Sequence, residues 1–485
     1  MPLDAYEPTL FELDHAGEGR DWFPRESEEK PIEDLLPPEC LAGAPPRIPD
    51  VSELEAVRHY TRLSRRNFSI DSGFYPLGSC TMKYNPKICE AMAQLPGFVD
   101  LHPEIGAEAA QGILFVMDEI ARFLADLTGM QRVTMNPCAG AHGEFCGMLM
   151  VRAYHKDRKD HRQTVLVPDS AHGTNPASAA MAGFKIVEVA SNTEGCVDLG
   201  DLKKKLNNDT AALMMTNPNT LGIFEKDIVE IARLAHEAGA LLYYDGANLN
   251  AIAGVTRPGD MGFDVVHINL HKTFSTPHGS GGPGSGPVGV GEKLLPFLPI
   301  PVIEKKANSY TLNYEYEKSI GQLSTFFGNV GIVLRAYVYM RLHGIEGIRK
   351  NSNNAVLNAR YLKSKFEKII PPAMQGDCMH EFVLTMKNKE RFGDLTAMAF
   401  AKNLLDLGFH APTVYFPLIV KEALMIEPTE TESKRTLDEF ADAAAQVLKN
   451  YENDQKRVLS APHTMPVRKL DEVKAARQPD LIFKD

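Results

Sequence analysis

Lys272 closes the run Val265-Val266-His267-Ile268-Asn269-Leu270-His271-Lys272, in which apolar positions 266, 268 and 270 alternate with polar 267, 269 and 271. This alternation predicts a strand over 265–270 with one face in a core and the other toward a crevice. A lysine at the mouth of such a crevice can be desolvated until its amine becomes nucleophilic. Asp245 ends the preceding predicted strand, at the start of Asp245-Gly246-Ala247-Asn248. Further upstream, Asn136-Pro137-Cys138-Ala139-Gly140-Ala141-His142-Gly143-Glu144 reads as a small-residue turn that opens a helix. Turns of this kind bring backbone N–H groups close to an anion, most often a phosphate. An amine and a carboxylate at adjacent strand ends, beside such a turn, meet the needs of pyridoxal 5′-phosphate. The lysine forms an imine with C4′, the carboxylate keeps the pyridine nitrogen protonated, and the turn holds the phosphate. Taken singly, the turn is an ordinary tight turn and the two charges an ordinary ion pair. An ion pair explains the two charges but not the turn or the Asp-x-Ala spacing.

Positioning these residues requires a sheet. Short apolar runs at 132–135, 164–167, 211–215, 240–244 and 265–270 read as buried strands, with helical patterns between most of them. One such helix spans 227–238, where Ile228, Ile231, Ala232 and Ala235 share a face and Gly239 supplies the stop. Strand–helix alternation predicts an α/β domain with a largely parallel sheet. Ligands of open α/β sheets bind beyond the carboxyl ends of the strands. Besides the turn at 136–144, those ends carry Ser170-Ala171-His172-Gly173-Thr174-Asn175-Pro176 and Thr216-Asn217-Pro218-Asn219-Thr220. The expected organisation is an N-terminal arm and helix over 1–109, a large domain over 110–329, a smaller α+β domain over 330–455 and a tail over 456–485. In the smaller domain, helices are expected at 330–342, 354–368, 395–407 and 432–451, with a strand at 381–386.

Composition narrows the function further. The 485 residues include 52 Lys and Arg against 63 Asp and Glu, a net charge of −11 that disfavours nucleic-acid partners. No apolar run reaches the ~18 residues of a membrane helix, and the start shows no secretory signal. Seven cysteines, without a Cys-x-x-Cys pair, fit a reducing cytoplasm better than a disulfide framework or a zinc site. Gly279-Ser280-Gly281-Gly282-Pro283-Gly284 matches the dinucleotide fingerprint, but no strand runs into it and its prolines oppose a following helix. It reads instead as a flexible loop over the site. His267 and His271 have a metal-ligand spacing only on a helix, and on a strand no third ligand is near, so no metal is expected.

Several longer motifs carry a resemblance. Asn269-Leu270-His271-Lys272-Thr273-Phe274, Asp245-Gly246-Ala247-Asn248, Ser170 through Ser178 and Gly78-Ser79-Cys80-Thr81-Met82-Lys83 together resemble the P-protein family of the glycine cleavage system. Gly140-Ala141-His142-Gly143-Glu144, Gly408 through Thr413 and Glu427-Pro428-Thr429-Glu430 extend the likeness over about residues 70–465. The resemblance implies a fold-type-I pyridoxal-phosphate enzyme with a seven-stranded-type, mostly parallel sheet. The family occurs as one long chain with two related halves or as two subunits, and this chain resembles the catalytic half of the split form. His142 departs from the Gln usual in the long form. By resemblance, Lys272 carries the cofactor, Asp245 pairs with its ring nitrogen, His172 stacks on one face and Ala247 packs on the other. Ala139, Gly140 and Ala141 contact the phosphate with His271, while Thr174 and Asn217 are further cofactor-site candidates. Ser79, Thr81 and Lys83 approach the substrate side. The implied activity is that of an oxidoreductase, glycine dehydrogenase (aminomethyl-transferring). Glycine loses CO₂ and its aminomethyl group passes to the lipoyl arm of H-protein. The implied assembly is an (αβ)₂ heterotetramer with subunit 1, with the 279–289 loop as part of the rim of a channel. The alternatives are another fold-type-I amino-acid decarboxylase or desulfurase, and a non-catalytic scaffold subunit.

Overall fold

The apolar runs become strands whose two faces are both covered. In the computed structural model, which describes residues 6–15, 30–44, 48–279 and 284–482, seven strands form the central sheet. They are β1 (Arg132–Thr134), β2 (Thr164–Pro168), β3 (Lys185–Val189), β4 (Thr210–Thr216), β5 (Leu241–Gly246), β6 (Val265–Ile268) and β7 (Val288–Val290). Their order is β1-β7-β6-β5-β4-β2-β3. All neighbouring pairs from β6 to β3 are parallel, whereas β7 runs antiparallel to both β1 and β6. The sheet is thus mostly parallel, as the strand–helix alternation predicts.

Alternate residues along one strand enter different cores. Leu213, Met215, Leu242, Tyr244, Val266 and Ile268 join one buried cluster, and Ala212, Met214, Tyr243 and Val265 join another. This is why the strands read as continuous apolar runs. The helix Gln111–Thr128 adds Ile113, Leu114, Met117, Ile120 and Leu124 to the first cluster. The helix Gly140–Asp157 adds Cys146, Met148, Met150 and Val151 to the second. Register then sets the site: Thr216 lies opposite Asp245, and Asp245 opposite His267, so three strand ends present one row of polar side chains.

Beyond this sheet lie a hairpin, β8 (Val302–Lys306) with β9 (Ser309–Asn313), and a small antiparallel sheet. The small sheet contains β10 (Phe382–Thr385), β11 (Thr413–Val414) and β12 (Ala423–Ile426), in the order β10-β12-β11. Helices Ala397–Asp406 and Lys434–Asn453 pack into its core, where Phe74, Phe366, Phe382, Phe400 and Phe440 are buried together. The two helices expected at 330–342 and 354–368 belong to one element, Val330–Phe366, broken where Gly344 takes φ 58° and ψ −178°.

Other departures from the expected elements have local causes. β6 ends at Ile268, and Leu270–Thr273 forms a helical turn, so Lys272 stands one turn past the strand and His271 does not share a strand face with His267. β3 escapes the apolar pattern because it is an edge strand with exposed Lys185 and Glu188. β7 has three residues and directly follows the glycine-rich run. Of that run and the 279–289 loop, residues 280–283 lie outside the described residues.

The chain divides into two compact units, one of Ile70–Ser460 and one in which Met1–Ser69 joins Ala461–Asp485. Within the second unit, helix Glu53–Ser64 begins on a capping box between Ser52 and Glu55. Glu7 accepts two 2.7 Å bonds from Arg62 and faces His59 at 3.0 Å, pinning the arm to that helix. Among the described residues no helix is long and apolar enough to cross a membrane.

Phe440 is fully buried, with ring centroids 5.0 Å from Phe74, 5.5 Å from Phe366 and 5.4 Å from Phe409. Phe440→Ala should cost about 3–5 kcal/mol through the cavity it leaves, read as a lower urea midpoint; an unchanged midpoint would show that this cluster does not hold the small sheet.

Candidate active site

The row of strand ends opens into a cavity of about 310 Å³, within the size range of small-molecule sites. Ser79, Ala139, Gly140, Ala141, His172, Thr174, Asp245, Ala247, His271 and Lys272 all line it. Asn217 does not. Its Oδ1 accepts the Glu225 N–H at 3.0 Å and its carbonyl accepts the Tyr244 hydroxyl at 2.6 Å, so it ties the β4 end to the loop that follows. Its neighbours Thr216 and Thr220 face the cavity instead.

Asp245 is 2% exposed. Burial pushes its pKa up, but His267 first, then Lys272 and the Ala247 N–H, outweigh that and hold the carboxyl below its ordinary value. His267 is the residue that sequence reasoning missed as a functional group. Its Nε2 lies 3.4 Å from Asp245 Oδ1 and 2.8 Å from Asn269 Oδ1, and its Nδ1 lies 2.8 Å from the Tyr243 hydroxyl. The two oxygens facing Nε2 are both acceptors, so Nε2 carries a proton directed at them. The signal available in the sequence was the polar face of the 265–270 run, where His267 sits in register with Asp245.

Lys272 Nζ donates to the Ser79 carbonyl at 2.8 Å. That carbonyl belongs to a loop in which Ser79 and Thr81 both have positive φ, 59° and 50°. Of the three candidates in the loop, Ser79 lines the cavity, whereas Thr81 and Lys83 turn away from it. Lys83 is buried and bonds Glu430 at 2.6 Å, Asn250 at 2.7 Å and the Thr273 carbonyl at 2.9 Å, which fixes the turn carrying Lys272.

Also in the lining, His172 Nδ1 lies 2.8 Å from Thr174 Oγ1, which lies 2.9 Å from Glu144 Oε1. Burial first, and then the charge of Asp245, raise the pKa of Glu144. Thr174 therefore serves as the link between the His172 ring and a second buried carboxyl. The helix Gly140–Asp157 begins at Ala139, whose side chain offers no cap to the first N–H groups. Close packing shapes this turn: a Cβ on Gly286 would stand 2.0 Å from the Ala139 carbonyl, and one on Gly140 2.3 Å from Asn269 Nδ2. His142 serves the same turn, its Nδ1 accepting the Cys138 N–H at 3.2 Å.

The residues present fit pyridoxal phosphate. Three cavity-lining groups, His271 Nδ1, His278 Nε2 and Thr216 Oγ1, are buried without a hydrogen-bond partner among the described residues and await a guest rich in polar atoms. Burial, followed by the nearby cationic groups, pushes His271 down to about 3 and His278 to about 4. Uncapped N–H groups for a phosphate, an ionised buried carboxylate and a lysine reach the same cavity.

Comparison with known proteins is decisive. The glycine cleavage system P-protein family matches residues 26–305, and the C-terminal domain family of glycine dehydrogenase matches residues 351–465. The chain belongs to the glycine cleavage system P-protein family. It is 55% identical to the probable glycine dehydrogenase (decarboxylating) subunit 2 of Caldanaerobacter subterraneus subsp. tengcongensis, over 98% of this chain and 99% of that protein. It is 56% identical to the protein of the same description from Methylococcus capsulatus, over 93% of each. Among solved structures, an inhibitor-bound glycine decarboxylase (P-protein) superposes with TM-score 0.73 and 22% identity, over 88% of this chain and all of that one. The glutamate decarboxylase of Lactobacillus brevis superposes with TM-score 0.63 and 12% identity, over 91% of this chain and 98% of that one. These likenesses show that the chain shares the fold of these two decarboxylases.

His267→Ala should raise the Asp245 pKa, because burial is then less opposed. Where the cofactor meets the carboxylate form, the acid limb of pyridoxal-phosphate binding should then move to higher pH. An acid limb that stays in place in a binding titration would separate His267 from Asp245.

Proposed function

We propose that this chain decarboxylates glycine with pyridoxal phosphate and passes the remaining aminomethyl group to the lipoyl arm of H-protein. The single observation that carries the reading is that buried Asp245 and Lys272 line one cavity in a chain of the P-protein family. Pyridoxal phosphate, when bound, supplies the electron sink for the carbon that loses CO₂.

The chain's own residues do the rest. Lys272 holds the cofactor through its amine, and its release from the Ser79 carbonyl frees that amine to react. Asp245 keeps a proton at the pyridine nitrogen, an electrostatic effect that costs no reorganisation because His267 and the Ala247 N–H already fix the carboxylate. His172, oriented through Thr174 and Glu144, would cover one face of the cofactor ring, and Ala247 would pack on the other. Ala139, Gly140 and Ala141 offer N–H groups to the phosphate, and His271 offers its unpartnered ring nitrogen. Ser79 faces the substrate side. Sulfur of the lipoyl disulfide takes the electrons, so no nicotinamide is needed.

A desulfurase needs a thiolate. Among the cysteines beside the site, Cys80 is pushed up to about 11 by burial and stays protonated at neutral pH. A second chain, subunit 1, completes the assembly as an (αβ)₂ heterotetramer.

Exchange of labelled CO₂ into glycine should require lipoylated H-protein and should be weak until subunit 1 is added. Full exchange by the chain alone would contradict the two-subunit reading, and exchange indifferent to H-protein would point to a simple decarboxylase. Asp245→Asn should retain cofactor but exchange on the order of 10²–10³-fold more slowly; near-normal exchange would remove its role at the ring nitrogen.

A further inference from the structure

Directly behind the loop that meets Lys272 lies a cluster that the mechanism above leaves unused. Glu381 precedes β10 and Glu427 follows β12; because Phe382 pairs with Ile426, the two glutamates extend the same ladder as a cross-strand pair. Both are fully buried, as is His380 beside them. One ligand atom from each of the three lies within 4.8 Å of the others. Two like charges facing across strands and sealed from water would repel strongly, so a stable fold requires that they not both ionise.

Their hydrogen bonds run to one place. Glu381 Oε2 accepts the Ser79 N–H at 2.6 Å, and Glu427 Oε2 accepts the Thr81 N–H at 2.8 Å. Thr81 Oγ1 also bonds Glu427 at 2.6 Å, and Asn248 Nδ2 reaches Glu381 at 3.3 Å. The carboxyls therefore hold the two residues whose φ is positive, on either side of Cys80. The same loop's Ser79 carbonyl accepts from Lys272.

We propose that Glu381 and Glu427 act as one proton-sharing acid pair that positions the Ser79–Thr81 loop against Lys272 and presents a single negative charge to that amine. They are positioning residues, since neither lines the cavity. Burial first, and then Glu427, hold Glu381 well above the carboxylate range; burial raises Glu427 to about 7 against the Thr81 donors, Lys272 and Lys83. The other titratable groups facing the pair and its loop are His380, His278 and Cys80. Burial keeps both histidines neutral and the thiol protonated. His380 Nε2 lies 3.9 Å from Glu381 Oε1 and 3.8 Å from Glu427 Oε1, and both its ring nitrogens lack a hydrogen-bond partner among the described residues. The spacing of the three groups would also suit a cation. Lys272, however, opposes positive charge at all three, and the loop donors already occupy the carboxyl oxygens.

The inference rests on Lys272 as the residue that holds the cofactor, so its test has one arm that does not. In cofactor-free wild-type protein at pH 8, infrared spectra should show a protonated carboxyl that both Glu381→Gln and Glu427→Gln abolish, because the remaining acid then ionises. In the loaded enzyme, the pH midpoint of the visible absorption band should stay in place in each single variant, where one charge survives. It should fall by about one unit in the double variant, where none does. A missing carboxyl band overturns the shared proton whatever Lys272 does. Single-variant shifts that sum in the double variant, or an unmoved midpoint in the double variant, overturn the single charge.

Discussion

A carboxylate with almost no access to water stays ionised only where positive charge and hydrogen-bond donors outweigh the cost of burial. Asp245 is such a group, and much of the large sheet can be read as the means of keeping it charged. The register of β4, β5 and β6 places it between Thr216 and His267. Tyr243, two residues earlier on β5, holds the His267 ring through a 2.8 Å bond to Nδ1. Lys272 arrives on the turn after β6, and the Ala247 N–H donates at 2.9 Å to Oδ1, the same oxygen that His267 faces. Shifting any one strand by one residue would turn the corresponding side chain to the other face of the sheet.

Other buried carboxyls around this centre have the opposite disposition. Glu144, Glu381 and Glu427 are all pushed toward the protonated form, chiefly by burial. Around Asp245, held as the carboxylate, the other acids are thus disposed to keep or to share a proton. The loop over 79–81 joins these groups mechanically, since its N–H groups bind the acid pair and its carbonyl binds Lys272. Lys83, four residues past Ser79, anchors the same loop to the Lys272 turn.

The chemistry at strand ends was legible in the sequence because parallel-sheet strands are buried on both faces and their polar termini stand out. Lys272, Asp245, His172 and the 139–141 turn could all be placed in this way, and they line one cavity. Asn217 shows the limit: it follows a strand directly, yet its amide serves the backbone after β4 while Thr216 and Thr220 face the cavity. His267 was hidden because a buried histidine on a strand has no pattern of its own; its meaning comes from register with Asp245. β3 and β7 were missed for reasons of length and exposure, and Gly344 interrupts a helix whose two halves read as separate. The acid pair lay beyond sequence reasoning altogether, since Glu381 and Glu427 are brought together only by the pairing of β10 with β12.

The claim on which the account turns is the covalent attachment of pyridoxal phosphate to one amine. Borohydride reduction of the loaded protein, followed by tryptic digestion and mass mapping, tests it most directly. A pyridoxyl tag is expected on the peptide that contains Lys272 and on no other. A tag on a different lysine, or no tagged peptide from protein that retains its absorption band before reduction, would contradict it.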